Sequence, residues 1–222
     1  MKRFEPISTE TLPPLSPQSL LDHPGITPEV IGKLTIYLDL LQEWRERINL
    51  VGRSTLLDPW RRHILDSAQI FPLLPSATET VFDVGSGAGF PGLVLALMED
   101  ATTRPYVKLI ESDARKCGFL RQVIAKTGAR ASVINVRAEQ MVSHPAAVIT
   151  ARAVAPLARL LDFSAPLLGK QTVCLFLKGA KVEDELTDAA RTWHMHITRV
   201  ASLSGPTGSV LKLQGIARRA RC

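Results

Sequence analysis

Residues 81–92, Val-Phe-Asp-Val-Gly-Ser-Gly-Ala-Gly-Phe-Pro-Gly, decide the fold of this chain. An apolar strand carries Asp83 near its end and runs into glycines at 85, 87, 89 and 92. Missing side chains at Gly85, Gly87 and Gly89 let a ligand approach the backbone and permit a left-handed turn. Pro91 suits the first turn of a helix, where an absent N–H costs nothing. A helix over 93–98 would then aim its N-terminal amides and positive dipole end at the loop, ready for an anionic group. A purely structural turn needs one or two such residues, so the stretch reads as a cofactor loop.

Two cofactors compete for it. Residues 87–92 satisfy the literal G-x-G-x-x-G pattern of dinucleotide-binding folds. The register is off, however, because the glycine that follows the strand is Gly85, and counting from there the sixth position is Phe90. Asp83 weighs more than any glycine. A carboxylate just ahead of the loop repels a pyrophosphate but attracts an ammonium or a sulfonium. S-adenosylmethionine carries both cations and a carboxylate for the helix end. It is favoured over NAD, which stays open on the motif alone.

The chain of 222 residues is long enough to bury a full core as one domain with an appendage. Hydrophobic residues make up 45% and charged residues 22%, as in ordinary globular proteins. No apolar run approaches ~18 residues, so no membrane-spanning helix is expected. The start, Met1-Lys2-Arg3-Phe4-Glu5-Pro6, lacks the apolar segment of a secretory signal. Cys117, Cys174 and Cys222 are widely spaced without a C-x-x-C pair, which suggests neither a disulfide framework nor a zinc site. The five histidines supply no metal-ligand spacing either, so no metal is expected. These features together point to the cytoplasm. The net charge of +6 is mild, but it is clustered: Arg45, Arg47, Arg53, Arg61 and Arg62 beside Trp44 and Trp60; Arg115, Lys116, Arg121, Lys126 and Arg130; and Arg218, Arg219 and Arg221. Each cluster alone could be a solvated helix face. Three together suit a phosphate backbone, and so a nucleic acid.

Three stretches divide the chain. Residues 1–26 hold Pro6, Pro13, Pro14, Pro17 and Pro24 and read as a flexible, proline-rich extension. Residues 27–78 read as a helical segment packed on the core. Thr27-Pro28-Glu29 starts one helix, expected to run to about 48. Asp58-Pro59 starts a second, ending near Pro72. From 79 to 222 strands and helices alternate, with strands over about 80–84, 106–111, 131–136, 146–150 and 171–177. Helices are expected over about 91–99, 113–127, 138–142, 156–168 and 181–192. Strands at about 196–203 and 209–216 flank the turn Gly205-Pro206-Thr207-Gly208, so the last strand should be antiparallel. The pattern is α/β: a doubly wound, seven-stranded sheet of the Rossmann-like class I S-adenosylmethionine-dependent methyltransferases.

Ligands of such sheets sit outside the carboxyl ends of the strands. Glu111 ends the second strand, where an acid can accept from ribose hydroxyls, as it would for NAD too. After the third strand, Ala138 and Glu139 can meet an adenine edge or simply begin a helix. The fourth strand ends in Thr150-Ala151-Arg152-Ala153, with neither the Asn/Asp-Pro-Pro-aromatic motif of amine methylation nor a Pro-Cys nucleophile. A ring nitrogen with a free lone pair, such as guanine N7, needs only to be held in line with the methyl group. Arg152 could pair with guanine O6/N7, a phosphate or the cofactor carboxylate. Lys178 closes the fifth strand.

Arg62-His63-Ile64-Leu65-Asp66-Ser67, Asn49-Leu50, the 83–92 loop, Arg115-Lys116, Phe119-Leu120-Arg121-Gln122-Val123, Arg152-Ala153 and Leu177-Lys178-Gly179 resemble one family. It is the bacterial small-subunit ribosomal RNA guanine-N7 methyltransferases, once called glucose-inhibited division protein B. The resemblance covers about residues 33–216. It implies S-adenosylmethionine as methyl donor and 16S rRNA in the small ribosomal subunit as substrate. It implies cofactor contacts at Gly85, Phe90, Ala138, Glu139 and Arg152, beside the Asp83, Gly87, Gly89 and Glu111 reached above. It supplies no catalytic base. Arg152 and Lys178 are expected to border the reaction centre as positioning groups, and Arg61, Arg62, His63, Asp66, Arg115, Lys116 and Arg121 to grip RNA. Ala151 stands where many relatives have serine, and Gly208-Ser209 where a basic residue is common. With no dimer seam visible, a monomer is expected. A methyltransferase for another RNA, a protein or a small molecule, a non-catalytic RNA-binding assembly factor and an NAD oxidoreductase are the competing readings.

Overall fold

A computed structural model describes residues 13–99 and 105–220. Residues 1–12 of the expected extension, with Arg221 and Cys222, lie outside the described residues. Seven strands form one sheet: β1 (Thr80–Val84), β2 (Tyr106–Ile110), β3 (Ala131–Ile134), β4 (Val148–Arg152), β5 (Val173–Lys178), β6 (Trp193–Ala201) and β7 (Ser209–Arg218). Their order is β3-β2-β1-β4-β5-β7-β6. The first five run parallel, and β7 lies antiparallel between β5 and β6. This is the expected seven-stranded sheet with its antiparallel last strand. The short 202–208 connection leaves no room for a crossover, which fixes that geometry.

Successive side chains point to opposite faces of the sheet, both of them covered, and this sets which meet which helices. Val81, Val107, Leu109, Val148, Leu175 and Leu177 face one layer, built from α1 (Pro28–Trp44), α3 (Gly92–Leu97) and α4 (Ala114–Thr127). Phe82, Val84, Ile149, Ala151, Cys174 and Phe176 face the other, with α5 (Leu157–Ser164) and α6 (Val182–Ala189). Continuing the period of two puts Asp83, Thr150 and Arg152 on the first face and Lys178 on the second. Asp83 is in register with Thr150 across the β1–β4 pair. Strand order reverses at β1, between β2 and β4, so the cleft opens at the carboxyl ends there.

The first layer is closed by the front segment. Thr27 caps α1, its hydroxyl accepting from the Val30 amide, with Pro28 in the first turn. Val30, Leu34, Tyr37 and Leu41 recur at helical spacing and are buried. Trp44 meets Phe119 of α4 edge-on at 5.8 Å and donates to Gln122 Oε1 at 2.7 Å. The helix stops there rather than at 48.

Other boundaries also differ. The expected second helix is composite: a π-helical turn over Trp60–Leu65, then α2 (Asp66–Ala68), then a 3-10 turn over Phe71–Leu73. Residues 13–26 are irregular apart from a 3-10 turn at Pro17–Leu20, yet Leu20 and Ile26 are buried in the core. Leu15 donates its amide to Asp58 Oδ1 at 3.0 Å. Buried residues pin this part of the chain that its prolines alone suggest is loose. The helix expected over 138–142 is a single turn, Ala138–Gln140. Pro91 stands at the N-cap of α3 instead of inside it.

Candidate active site

The glycine loop between β1 and α3 forms the floor of a cleft of about 910 Å³. Gly87 has φ +57°, and a Cβ built there meets nothing closer than the Gly85 carbonyl oxygen at 3.7 Å, so its open side is free for a ligand. Gly89 has a different constraint: its Cβ would lie 2.7 Å from the Tyr37 hydroxyl and closer still to Leu93. Tyr37 donates that hydroxyl to the Ala88 carbonyl and stacks on Phe90 at 5.1 Å. The front segment therefore holds the loop from behind.

Phe90 is 3% exposed. Tyr37 covers it on one side, His63 stacks on it at 4.7 Å, and the Arg152 guanidinium lies 4.6 Å from its centroid. Arg152 Nη2 donates to His63 Nδ1 at 3.0 Å. A guanidinium can only donate, so His63 is the neutral tautomer that carries its proton on Nε2 and gives it to Thr55 Oγ1 at 2.9 Å. Burial, with Arg152 and Arg62 nearby, pulls the His63 pKa down to about 3. The Nη1 of Arg152 donates to the Arg62 carbonyl at 3.0 Å and to Asp66 Oδ2 at 3.2 Å. Three of the five guanidinium N–H groups are thus engaged within the protein, and two are left for a ligand.

The carboxylates divide into two kinds. Asp83 is fully buried, and its Oδ1 accepts from the Thr150 hydroxyl at 2.7 Å. Its Oδ2 has no hydrogen-bond partner. The start of α3 seals it off, since a Cβ on Gly92 would lie 2.8 Å from the Asp83 Cγ. Burial raises its pKa to about 6, opposed by the Thr150 hydroxyl and by Arg152. Direct contact between Asp83 and a bound cation, as its place before the loop suggests, is therefore not what the fold provides: the charge sits behind the loop. Among the first amides of α3, that of Leu93 is taken, donating to the Gly89 carbonyl at 2.7 Å. Glu111 does line the cleft, its two oxygens accepting from the Gly87 amide at 2.9 Å and the Asp113 amide at 2.8 Å.

Ala138 and Glu139 line a second cavity of about 110 Å³ with Val84, Ile110, Val136 and Phe163. It shares Gly85, Glu111, Ser112 and Val154 with the main cleft. A small apolar chamber joined to a larger polar one at an acid suits a purine nucleoside carrying a polar extension. Lys178 lines the main cleft with its side chain 7% exposed, paired to Glu185 at 2.7 Å and donating to the Ala155 carbonyl at 2.7 Å. It fixes the 153–156 turn and is not a free cation.

Of the residues expected to grip RNA, Arg62, Arg115 and Arg121 are exposed, and Lys116 is half-buried in the cleft wall. Three others do something else. Arg61 is held by Asp58 at 2.7 Å and donates to the Pro13 carbonyl at 2.9 Å. His63 is buried and neutral, and Asp66 is paired with Arg152. Tyr37, Thr55, Thr150 and Glu185 complete the site and carry no sequence motif. The one hint is that Tyr37 falls on the buried stripe of α1. Among the described residues, no group of three or more His, Cys, Asp or Glu could hold a metal ion.

Residues 30–210 match the family described as rRNA small subunit methyltransferase G. The chain is 49% identical over 204 residues to the ribosomal RNA small subunit methyltransferase G of Paramagnetospirillum magneticum, covering 92% of this chain and 98% of that protein. It is 46% identical to the protein of the same name from Rhodospirillum rubrum, covering 92% of this chain and 100% of the relative. Solved structures share the fold at low identity. An S-adenosylmethionine-dependent methyltransferase from Aquifex aeolicus has a TM-score of 0.54 at 16% identity, over 72% of this chain and 95% of that one. The M. jannaschii TYW2 complex with AdoMet has a TM-score of 0.52 at 14% identity, over 78% and 80%. With a family match spanning most of its length and curated relatives near half identity end to end, this chain belongs to the rRNA small subunit methyltransferase G family.

Proposed function

We propose that this protein transfers a methyl group from S-adenosylmethionine to N7 of a guanine in 16S rRNA of the small ribosomal subunit. When bound, the cofactor supplies an electrophilic methyl on a sulfonium; the protein supplies position. The open backbone at Gly87 and the neighbouring Gly85, Gly89 and Phe90 would hold the methionyl part. Glu111 would accept from the ribose, and Ala138 and Glu139 would border the adenine in the smaller chamber. Asp83 would act through the loop, its charge favouring a cation above it. Arg152 has two N–H groups for the cofactor carboxylate or the base edge, and Lys178 would shape the turn beside them. Arg62, Arg115, Lys116 and Arg121 would meet phosphates.

One observation carries the choice of N7. Among the described residues, every carboxylate and imidazole lining the cleft is already engaged: Asp66 by Arg152, Glu111 by two amides, Glu185 by Lys178, and His63 by Arg152 and Thr55. None is placed to take a proton from the target. The N7 of guanine attacks with a free lone pair and has no proton to lose, so holding it in line is enough. The exocyclic N2 and the ring N1 both carry protons. The ribosomal substrate supports a cytoplasmic setting. The test is incubation with tritium-labelled S-adenosylmethionine and small subunits that lack the modification. Label should enter 16S rRNA. Label found only in protein or small molecules, or none at all, overturns the substrate assignment.

A further inference from the structure

The loop between β6 and β7 closes one side of the cleft, with Ser204, Gly205, Thr207 and Gly208 in its lining. It is compact: Ser202 donates its amide to the Gly208 carbonyl at 3.1 Å, and a Cβ on Gly208 would lie 2.7 Å from the Ser202 Cβ. Its serines and the Leu203 amide tie it to the front segment. Asp66 Oδ1 accepts from the Ser204 hydroxyl at 2.5 Å and from the Ser202 hydroxyl at 3.4 Å. Gln69 Oε1 accepts from the Leu203 amide at 2.8 Å, and its Nε2 donates to Ser202 Oγ at 3.2 Å and to Asp66 Oδ1 at 3.1 Å. The second oxygen of Asp66 faces Arg152 at 3.2 Å. One carboxylate therefore bridges the group beside Phe90 and the β6–β7 wall of the cleft.

We propose that Asp66, assisted by Gln69, is a positioning residue that sets the wall against which the target base docks, with Ser202 and Ser204 as its latch. The inference rests on the methyltransferase reading of this cleft. Asp66 faces no solvent phosphate; its two oxygens are spent on Arg152 and on the latch, so its part in handling RNA is indirect. The latch serines bond Asp66, Gln69 and each other and reach the groups proposed for the cofactor only through Asp66 and Arg152. Releasing the latch should then alter handling of RNA while leaving S-adenosylmethionine binding intact.

The double variant Ser202→Ala with Ser204→Ala keeps the Asp66–Arg152 pair and removes only the hydroxyls. Its affinity for S-adenosylmethionine, by calorimetry, should equal wild type. Its KM for small subunits should rise about tenfold, which is about 1.4 kcal/mol. Asp66→Ala also removes one of the three bonds that hold Arg152, so it should raise KM and lower kcat. Should that variant fail to fold, the serine variant still decides. A serine variant with wild-type KM and kcat overturns the proposal, and so does one that loses cofactor affinity by the same factor. A lowered melting temperature with unchanged kinetics would make the latch merely structural and overturns it too. Failure of the broader reading is separate, because wild type would then leave rRNA unlabelled before any variant is made.

Discussion

Asp83 shows how one residue can be conspicuous in sequence and act at one remove in structure. Its place at the end of β1 is legible because strand ends carry ligands in doubly wound sheets. Its burial under α3 is not, since that depends on Gly92 packing against it. The buried carboxyl has its pKa raised to about 6, above the usual 3.8. The native state therefore holds this proton more tightly than the unfolded chain does. The resulting stabilisation is fully present below the unfolded pKa and is lost as pH rises through about 6. Replacing the acid by a neutral isostere removes that dependence. Asp83→Asn should gain stability relative to wild type as pH rises from 5 to 8, by roughly 1 kcal/mol. It should bind S-adenosylmethionine more weakly at pH 8, where the wild-type carboxylate is charged. Denaturant titrations at both pH values read the first effect, and a variant that loses stability relative to wild type between them contradicts it. The same divide between visible residue and hidden role runs through the Arg-His-Ile-Leu-Asp-Ser block. Its presence is plain in the sequence, yet Arg61, His63 and Asp66 find partners far along the chain, and no local pattern reveals such pairings.

Elements were legible where periodicity is strong, as in α1, α4 and the strands of the parallel sheet. They were less so where backbone departs from regular helix. The π-helical turn at Trp60–Leu65 has the apolar spacing of an ordinary helix, and the single turn at Ala138–Gln140 is too short for periodicity to register. The division between helical segment and catalytic domain is the larger matter. Leu34, Tyr37, Leu41 and Ile64 belong to the same core as β1 and α3. Burying four such side chains contributes roughly 6–12 kcal/mol, comparable with the whole stability of a typical domain at ~5–15 kcal/mol. A chain beginning at residue 79 should therefore show no cooperative thermal unfolding. A sharp melt with retained cofactor binding would establish instead that the front segment is a separable appendage.

At the scale of the molecule, sheet topology, charge and cleft chemistry converge on one reaction. The strand order puts the cleft where β2 and β4 diverge around β1, and the alternation of β4 and β5 sends Arg152 and Lys178 to opposite layers. Arg62 and Lys116 line that cleft and Arg115 and Arg121 are exposed on α4, and the phosphate contacts proposed for them should weaken as salt rises. Within it, the pairing of every described acid and imidazole is what supports positioning as the proposed means of catalysis. The most direct measurement is the identity of the product: 16S rRNA methylated by the purified protein, digested to nucleosides and compared by mass and retention with N7-, N1- and N2-methylguanosine. A cleft without a free proton acceptor yields 7-methylguanosine alone. N1- or N2-methylguanosine would contradict the account, because both need a proton removed that no group here is placed to take.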